Sequence, residues 1–505
     1  MFFKYHKTIF LTYLLSNVVS FQISAGPISI QKDDNAILQV KSTVQYPNFL
    51  QPWRFKNPET RRSYGIYVGD GLILTPSQTV NYTTGIEVTK TGSLKTFTAK
   101  VIKSDPDLSL ALLKVEDKSF PNGLTSVQFP TDIFLPSQGL LLEYKEFRNL
   151  GEKKVRTIKL EMDTYANGYI ELPIVEIQSD EKFEGIGELI VEETSRIPQG
   201  IVISFKDSQN VGRMIPSFMI KSFLESKCRE NCIPFKGFRF RTLTDRATRD
   251  YYGVKKDDQG VVIAEVYPTK PNNGTNKLIA QLQLEDVLLE VAGFKIDPKG
   301  YFEHPKYGKI GLSFLFHTNE EFTKNQSLTI PIKILRNKKL IEFDYSLSVL
   351  DENSIKIPFG NTRGRKPTYL ILGGIVFQEL SEHYLMEYGP KWRARVSKYL
   401  LYLNDFFHIT SHYSHSPNRF VVLTQVLPLT GNQAYHSMHQ NVLEKVNGNS
   451  ILNLSQLNEV IKSNKEEFLV FDFQDGSQVI FKSEEITKLN QEALKTFKIP
   501  AEQNF

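Results

Sequence analysis

Short stretches of alternating apolar and polar residues, bounded by Gly, Asp, Asn and Pro, run from about residue 62 to residue 224. Val, Ile, Thr and Phe are frequent in them, which is typical of β-strands. The pattern predicts strands at residues 64–68, 72–75, 85–90, 96–103 and 109–115. Apolar residues near helical spacing predict a helix at residues 217–227. We therefore expect this part of the chain to be mainly β.

Two further units follow after stretches that read as linkers. The second unit, residues 235–350, ends in two strands, 327–335 and 339–349, around a turn at Arg336 and Asn337. A polar, basic stretch at residues 361–367 precedes the third unit, residues 368–499. With a first unit at residues 40–227, the length of 505 residues suits three domains.

Composition and charge narrow the classes of function. The net charge is only +5 over the whole chain, so no concentrated basic face points to a nucleic-acid partner. Two cysteines exclude a disulfide-built scaffold and a four-cysteine zinc site. Nothing in the composition calls for a cofactor, and we expect none.

The first residues have the layout of a secretory signal peptide, which we place at residues 1–25. Lys4 and Lys7 precede a mostly apolar run at residues 8–21, and small residues follow it. An uncleaved anchor is the alternative, but the run is short for a membrane span, and no later stretch is apolar for long enough. We expect an exported protein, periplasmic or secreted, without a stable membrane span after cleavage. Cys228 and Cys232 could then be paired or free.

Three passages carry a resemblance to a known family. They are DGLILT at residues 70–75, AKVIKSDP at 99–106 running into LALLKV at 110–115, and MIPSFMIKSFL at 214–224. In this order they resemble the HtrA/Deg family of exported serine proteases. The resemblance implies a trypsin-like double β-barrel followed by two PDZ-like (α+β) domains. The passages at residues 389–392 and 423–427 are similar to the second PDZ of the plant and fungal Deg subgroup.

The same resemblance assigns the places of a catalytic triad, and all three hold unsuitable residues. Gln78 stands where the family has histidine, and Ser109 where it has aspartate. The serine place aligns with Pro198, within about two residues. Asp107 lies close to Ser109, and we expect it to be a surface turn residue. A carboxamide cannot cycle a proton near neutral pH, so the barrel is expected to be catalytically degenerate.

The distribution of histidine supports this interpretation independently of the alignment. The sequence has no histidine between Lys7 and Glu303, a range that includes the whole predicted barrel region. A Ser-His-Asp triad within the barrels is therefore impossible. A histidine from elsewhere or a Ser–Lys pair remains open.

Two segments have the apolar-x-Gly-apolar form with which PDZ domains hold a peptide's terminal carboxylate. In the second unit this predicts a peptide site made of Phe235, Lys236, Gly237 and Phe238, with Phe240 further along the strand. The alternative is a strand start whose apolar residues face inward. The third unit offers a second candidate. It consists of Leu372, Gly373, Gly374 and Ile375.

The histidines of the third unit suggest a metal site at first sight. They are His408, His412, His415, His436 and His439. The first three lie in a stretch rich in Ser, Thr and Tyr that ends in proline, so we interpret it as a solvated loop and expect no metal.

The leading hypothesis is an exported pseudoprotease that binds peptide termini or unfolded segments of envelope proteins, as a holdase or scaffold. Whether it is an enzyme stays uncertain. An active serine endopeptidase of the family with a rebuilt site is the alternative, and its candidate nucleophiles are Ser195, Ser204 and Ser208. A purely structural component is the third possibility.

A cluster of aromatic residues near the start of the first unit bears on assembly. The family usually forms trimers through the corresponding part of the barrel, so we expect a homo-oligomer, a trimer or a multiple of one. Phe49, Trp53 and Phe55 are the candidates for filling a neighbouring subunit, because large aromatic side chains dominate interface energies. Alternatively, they cover the end of their own barrel.

Overall fold

The structure is a computed structural model. It describes residues 35–144, 150–165, 168, 170–227, 233–255, 259–267, 282–318, 328–350, 355–360, 366–406 and 419–505. The predicted signal peptide, the two cysteines and the histidines at 408, 412 and 415 lie outside these residues. No helix in the described ranges is long and apolar enough to cross a membrane.

The first unit begins with a closed antiparallel barrel in the strand order β1-β2-β3-β6-β5-β4. Alternating residues of these strands point inward, as the pattern of the sequence predicts, and Leu38, Val40 and Ile73 are fully buried there. Gly65 lies between two of them, since a Cβ there would come within 2.7 Å of both Val40 and Ile73. The strands are β1 Ile37–Val44, β2 Glu59–Gly69, β3 Leu72–Pro76, β4 Thr83–Lys90, β5 Thr96–Asp105 and β6 Leu110–Val115.

A second closed barrel follows in the order β10-β11-β12-β9-β8-β7. Its strands pack against the first barrel in a shared core that includes Tyr64, Leu110, Leu172 and Leu189. Two packed antiparallel barrels confirm the predicted trypsin-like fold. The strands are β7 Ser137–Tyr144, β8 Leu150–Thr164, β9 Glu171–Gln178, β10 Leu189–Glu192, β11 Pro198–Lys206 and β12 Val211–Pro216.

Helix α1, Ser217–Glu225, follows β12 and ties the end of the second barrel to the first. The buried side chain of Lys103, on β5, donates from Nζ to the carbonyl oxygens of Phe223 and, at 2.8 Å, Ser226. These carbonyls lie at the C-terminal end of the helix, where cations are favoured. Burial lowers the pKa of Lys103 to about 8.

The second unit is built on a sheet in the order β13-β14-β15-β19-β20, with β13 at one edge. Its last two strands form a hairpin, and the turn lies at Asn337 and Lys338, one residue later than predicted; both have positive φ, which such tight turns require. The elements are β13 Phe238–Arg241, α2 Arg246–Tyr252, β14 Val261–Val266, β15 Val287–Val291, β16 Phe294–Lys295, β17 Tyr301–His304, β18 Gly308–Gly311, α3 Ser313–His317, β19 Leu328–Arg336 and β20 Lys339–Leu347.

The third unit has a longer sheet in the order β27-β26-β24-β23-β22-β21-β28. The last strand of the chain, β28, pairs with β21 and so connects residues more than a hundred positions apart. The elements are β21 Tyr369–Leu372, β22 Ile375–Glu379, α4 Glu382–Met386, α5 Lys398–Phe406, β23 Val421–Val426, β24 Asn441–Val446, β25 Asn449–Ser450, α6 Leu454–Ser463, β26 Phe468–Phe473, β27 Gln478–Lys482, α7 Ile486–Phe497 and β28 Gln503–Asn504.

The aromatic segment between β1 and β2 contacts the third unit of its own chain. Phe49 is buried and stacks on His383, with ring centroids 4.8 Å apart. Gln378 Nε2 donates to the carbonyl oxygen of Phe49 at 3.0 Å. Trp53 packs edge-on against Tyr369, while Phe55 stays 50% exposed.

The prediction that these side chains fill a neighbouring subunit is therefore wrong for Phe49 and Trp53. Their apolar surface is covered by the third unit, and the described contacts do not place them over the end of their own barrel either. The short range of sequence patterns explains the error, because the covering residues lie more than three hundred positions later. Homo-oligomer formation stays a prediction, without these two residues to support it.

Candidate functional site

Gln78 and Ser109, the predicted places of the family's histidine and aspartate, lie on adjacent turns of the first barrel. Gln78 is in the 3₁₀ turn Ser77–Thr79, directly after β3. The backbone N–H of Ser77 donates to the carbonyl oxygen of Ser109 at 3.0 Å, which joins the two turns. Arg61 Nη1 donates to the carbonyl oxygen of Gln78 at 3.4 Å and connects the same turn to β2.

The side chains at these places are neutral. Ser77 and Ser109 are buried, and within the described part of the chain neither side-chain oxygen has a hydrogen-bond partner. Ser109 has a φ of 54°, in the left-handed region, so its conformation is set by the turn. A Gln and a Ser cannot exchange a proton as a His–Asp pair does.

Asp107 is buried, which corrects the prediction of a surface turn residue. The turn that contains it packs against the second barrel: a Cβ on Gly168 would lie 2.9 Å from the carbonyl oxygen of Asp107. The Asp105 carboxylate also accepts the N–H groups of Asp107 and Leu108, at 3.0 and 3.2 Å. The turn is thus folded inward between the barrels.

Pro198, the predicted place of the family's serine, lies on a strand of the second barrel. Pro198 begins β11 and pairs with Val191 across a hairpin. The loop before β10 contacts β2 and Pro76, the residue just before the turn at Gln78. The carbonyl oxygen of Ile186 accepts the N–H of Tyr64 at 3.1 Å, and a Cβ on Gly187 would lie 2.8 Å from Pro76.

These contacts bring the loop of residues 185–188 against β2 and against the residue before the turn at Gln78. The sequence did not single out this loop, because its two-glycine pattern Gly185-Ile186-Gly187 lacks the serine that marks the family motif. The loop reads Gly-Ile-Gly-Glu and carries no hydroxyl or thiol nucleophile.

The carboxylate of Glu188 fills the inside of this loop. Its Oε1 accepts the backbone N–H groups of Glu184 at 3.0 Å and Gly185 at 2.9 Å, and its Oε2 accepts that of Ile186 at 2.8 Å. Glu188 is fully buried, and burial raises the pKa of its carboxyl even though the N–H groups act in the opposite direction. We call this arrangement the amide nest.

The amide nest determines which backbone N–H groups of the loop are available as hydrogen-bond donors. A serine protease uses convergent backbone N–H groups near its nucleophile to stabilise a developing oxyanion. Here three such groups already donate to an internal carboxylate. In this conformation these three groups are therefore occupied within the chain.

The predicted peptide loop of the second unit lies against neighbouring elements. Phe235 forms a bridge with Ser348 and stacks on Tyr267, with ring centroids 5.4 Å apart. Phe238 is fully buried and meets Phe316 edge-on at 5.4 Å. Phe240 packs onto Gly300, where its ring leaves no room for a Cβ.

Both strand phenylalanines thus point into their own unit. Gly237 has a φ of 74°, as the turn into β13 requires, and its carbonyl oxygen accepts the N–H of Tyr267 at 2.8 Å.

Lys236, in the middle of this loop, is paired with the second barrel. Its Nζ lies 2.8 Å from Glu171 Oε2, on β9, and 2.8 Å from Ser313 Oγ, on α3. Ser313 Oγ also donates to the same carboxylate oxygen at 2.5 Å. The prediction that Lys236 offers its charge to a peptide carboxylate does not hold in this conformation, because Glu171 already takes that charge.

His317, at the end of α3, joins the same group of residues. Its Nε2 accepts the backbone N–H of Lys236 at 3.1 Å, and its Nδ1 lies 2.6 Å from the carbonyl oxygen of Glu171. The ring is therefore neutral, with the proton on Nδ1. Burial lowers the pKa of His317 to about 3, and the nearby Lys236 adds to the effect. We call Glu171, Lys236, Ser313 and His317 the inter-unit cluster.

Comparison with known proteins shows what the chain is similar to. A model of the PDZ domain matches residues 358–504. Protease Do-like 2, chloroplastic, of Arabidopsis thaliana is 24% identical over 492 residues, covering 93% of this chain and 75% of the relative. The putative mitochondrial protease Do-like 11 of the same plant is 23% identical, covering 92% and 74%. The chain is thus similar over about nine tenths of its length to Do-like proteases, as the resemblance to the HtrA/Deg family implied.

A solved structure of the same family is also similar. The HtrA-type protease AlgW with tripeptide superimposes with a TM-score of 0.44 at 15% identity, covering 64% of this chain and 96% of that chain.

Within the PDZ domain matched at residues 358–504, the second predicted loop is closed by its own domain. Gly373 and Gly374 form the turn between β21 and β22. The N–H of Gly373 donates to Asn490 Oδ1 at 2.7 Å, and Asn432 Nδ2 donates to the carbonyl oxygen of Gly373 at 2.8 Å. Leu372 and Ile375, which flank the turn, are buried. This conformation leaves the loop covered, so peptide binding there has no structural support.

Of the five histidines considered for a metal site, the structure describes His436, which lies near this turn, and His439, which is on the surface. His436 Nε2 lies 2.8 Å from Asn432 Oδ1. Across the described ranges, no group of three His, Cys, Asp or Glu side chains is placed to hold a metal ion.

Proposed function

We propose that this chain is an exported pseudoprotease that binds peptide ends or unfolded segments of other proteins instead of cleaving them. It would act in protein quality control of the cell envelope, as a holdase or scaffold. The signal-like first residues support export.

The amide nest is the observation that carries the proposal. Loss of the triad alone leaves room for a rebuilt site, but catalysis of acyl transfer also needs donors for the oxyanion. The donors of the loop at residues 185–188 bind Glu188 instead. Among the described residues of this cleft, Gln78 and Ser109 cannot act as a base, the loop at residues 185–188 carries no hydroxyl or thiol, and three backbone N–H groups are taken up by Glu188.

Peptide capture rests on the second unit. Its β13 is an edge strand of the sheet, and such strands can accept an extended peptide as an additional strand. The Phe-Lys-Gly-Phe loop stands directly before this edge. The PDZ domain matched in the third unit is consistent with a chain that recognises peptides, although its own loop is covered.

Purified protein incubated with unfolded casein and with a fluorophosphonate serine probe tests the proposal. We expect no cleavage and no labelled serine, while light scattering shows that the protein suppresses aggregation of reduced lysozyme. Trypsin serves as the positive control for both reagents.

The named proteases among the relatives favour one second candidate, an active serine endopeptidase with a rebuilt site. Its candidate nucleophiles are Ser195 in the hairpin between β10 and β11, Ser204 on β11, and Ser208 in the turn after β11. Ser195 is exposed at the hairpin tip, where its N–H donates to Glu192 Oε2 at 2.5 Å. Cleavage of casein that Ser195→Ala, Ser204→Ala or Ser208→Ala abolishes would establish this function and refute the pseudoprotease.

A further inference from the structure

The first unit and the second unit meet through several sets of contacts. One set is aromatic and ionic: Phe218 packs against Tyr307 and Phe314, and Lys306 Nζ lies 2.7 Å from the carboxylate of Asp132. A second set is apolar and includes Phe235 of the peptide loop, which is buried in one core cluster with residues of the barrels. The inter-unit cluster is a third set. The first set does not involve the peptide loop, so it can hold the two units together when Glu171 and Lys236 separate.

The cluster differs from an ordinary interface ion pair in where its cation lies. Lys236 belongs to the loop whose form is typical of carboxylate binding, and its backbone N–H, a donor of that loop, points to His317. The anion comes from the other unit. Glu171 therefore supplies to this loop what the end of a peptide would bring, a carboxylate.

The exposure of the two partners shows which of them can move. The side chain of Lys236 is only 8% exposed, whereas that of Glu171 is 48% exposed. Glu171 can rotate into water and be hydrated there, whereas Lys236 is buried and keeps Ser313 Oγ as a second partner. An incoming carboxylate can thus replace Glu171 on a lysine that remains in place.

We propose that Glu171 is an internal competitor that occupies the carboxylate site of the second unit until a peptide's carboxyl end displaces it. The inference rests on the proposed function, since it concerns the regulation of that same peptide site. It adds that the resting protein is closed and that one carboxylate of the barrel sets the affinity for ligands.

Mild acid would not open the site, and this distinguishes the mechanism from a pH switch. The titratable groups that face His317 are Lys236 on the loop and Glu171 on β9. Because the pKa of His317 is lowered to about 3, the ring stays neutral and keeps both hydrogen bonds at about pH 5. A ligand, and not a proton, is then the signal.

Binding of a labelled peptide to full-length variants tests the inference. The probe is a fluorescein-labelled decapeptide ending in Ala-Ala-Val with a free carboxylate, measured by fluorescence polarisation beside the same peptide with an amidated end. Glu171→Gln removes the competing charge and keeps the shape. Glu176→Gln is the matched control, since it lies on the same strand and pairs with Lys159 at 3.3 Å, away from the cluster.

We expect Glu171→Gln to bind the carboxylate peptide about tenfold more tightly than the wild type, Glu176→Gln to match the wild type, and the amidated peptide to gain nothing. Ser313→Ala, which removes a hydroxyl that contacts both partners, should give a smaller gain and serves as a second variant if Glu171→Gln does not fold. Equal affinities of wild type and both cluster variants would overturn the inference.

A second readout separates this inference from the proposed function. Acetylation of lysines by an N-hydroxysuccinimide ester, followed by mass spectrometry, should label Lys236 slowly in the wild type and in Glu176→Gln, and several times faster in Glu171→Gln. If no variant binds peptide but Lys236 shows this pattern, peptide capture fails and the closed cluster stands. Equal labelling of Lys236 in all variants refutes the cluster as a closing device.

Discussion

Glu188 and Glu171 are both carboxylates of the second barrel, and each occupies a place where a ligand's negative charge could bind. They are held in different ways. Glu188 is fully buried and accepts backbone N–H groups from its own loop, whereas Glu171 is half-exposed and meets side chains of another unit. Backbone donors two to four residues away cannot separate from their acceptor without unfolding the loop. Side-chain donors across an interface can separate from their acceptor while both units stay folded.

The comparison indicates that a carboxylate can serve two purposes in the proposed function. In one it permanently removes a catalytic feature, and in the other it reversibly blocks a binding site. The amide nest removes the oxyanion donors permanently, because the loop folds around the carboxylate. The inter-unit cluster blocks a site reversibly, because its carboxylate remains in contact with water. Burial of the anion, more than the number of its hydrogen bonds, separates the two cases.

The largest expected effect comes from removing the buried carboxylate. Glu188→Gln turns an acceptor-only group into one with an N–H₂ that faces backbone donors, so we expect a loss of roughly 3 to 5 kcal/mol in the free energy of unfolding. Urea unfolding followed by circular dichroism measures it.

Glu192→Gln is the matched control for that change, since Glu192 also accepts backbone N–H groups, of Thr194 and Ser195, but in an exposed hairpin. Its loss should be much smaller. Similar losses for the two variants would show that burial does not set the difference between the two carboxylates.

The next effect is the pH dependence that His317 gives to stability. Its pKa is about 3 in the folded chain, against an ordinary value of 6.5, so the unfolded state binds more protons between these limits. Stability is therefore lost as pH falls below about 6.5, by about 2 kcal/mol at pH 5. His317→Gln keeps a donor and an acceptor but cannot be protonated.

Urea midpoints of wild type and His317→Gln, compared at about pH 7 and about pH 5, check this sign and size. A wild type that loses no more stability than the variant on acidification would contradict a buried neutral ring at the cluster.

A smaller effect is expected for the half-exposed carboxylate. Glu171→Gln should cost about 1 kcal/mol, because solvent screens the pair and the amide oxygen of Gln still accepts from Lys236. The same urea titration measures it, with Glu176→Gln as reference. A loss as large as that of Glu188→Gln would mean that Glu171 is a fixed part of the fold and not a replaceable ligand.

The last set of substitutions is expected to leave reactivity with a fluorophosphonate unchanged. Gln78→His and Ser109→Asp, combined with a serine introduced into the two-glycine loop by Ile186→Ser, should produce no labelling by a fluorophosphonate, because Glu188 still holds the backbone donors of the loop. Mass spectrometry of the labelled chain checks the hydroxyl introduced by Ile186→Ser as well as the native serines. Labelling of the triple variant would show that the amide nest can open, and would remove the contrast drawn between the two sites.

The strand pattern of the sequence was sufficient to predict these strands, since residues 72–75 and 109–115 became Leu72–Pro76 and Leu110–Val115 with little change, whereas the closed barrels followed from the family resemblance. The alternation of apolar and polar residues along a strand is visible in the local sequence, and it is preserved in a closed barrel because one face of each strand points inward. The places of Gln78 and Ser109 followed from motifs that lie next to such strands.

The carboxylate sites could not be predicted in the same way. Glu171 and Lys236 lie 65 positions apart in different units, and no local pattern connects them. Glu188 is close to its donors in sequence, but its inward direction depends on Gly185 and Gly187, whose φ values are 74° and 110°. The loop of residues 185–188 was not singled out for a related reason, because a loop without a serine does not resemble the family motif.

The contact between the start of the first unit and the third unit has a consequence for the synthesis of the chain. The carbonyl oxygens of Phe49 and Leu50 receive their hydrogen bonds from Gln378 and Gln425, which are 329 and 375 positions later. At about 5 to 20 residues per second, the ribosome needs roughly 20 to 75 seconds to make that stretch. Throughout this time the aromatic side chains of the segment have left the exit tunnel without their partner surface. The nascent chain therefore depends on early protection of residues that the finished protein hides.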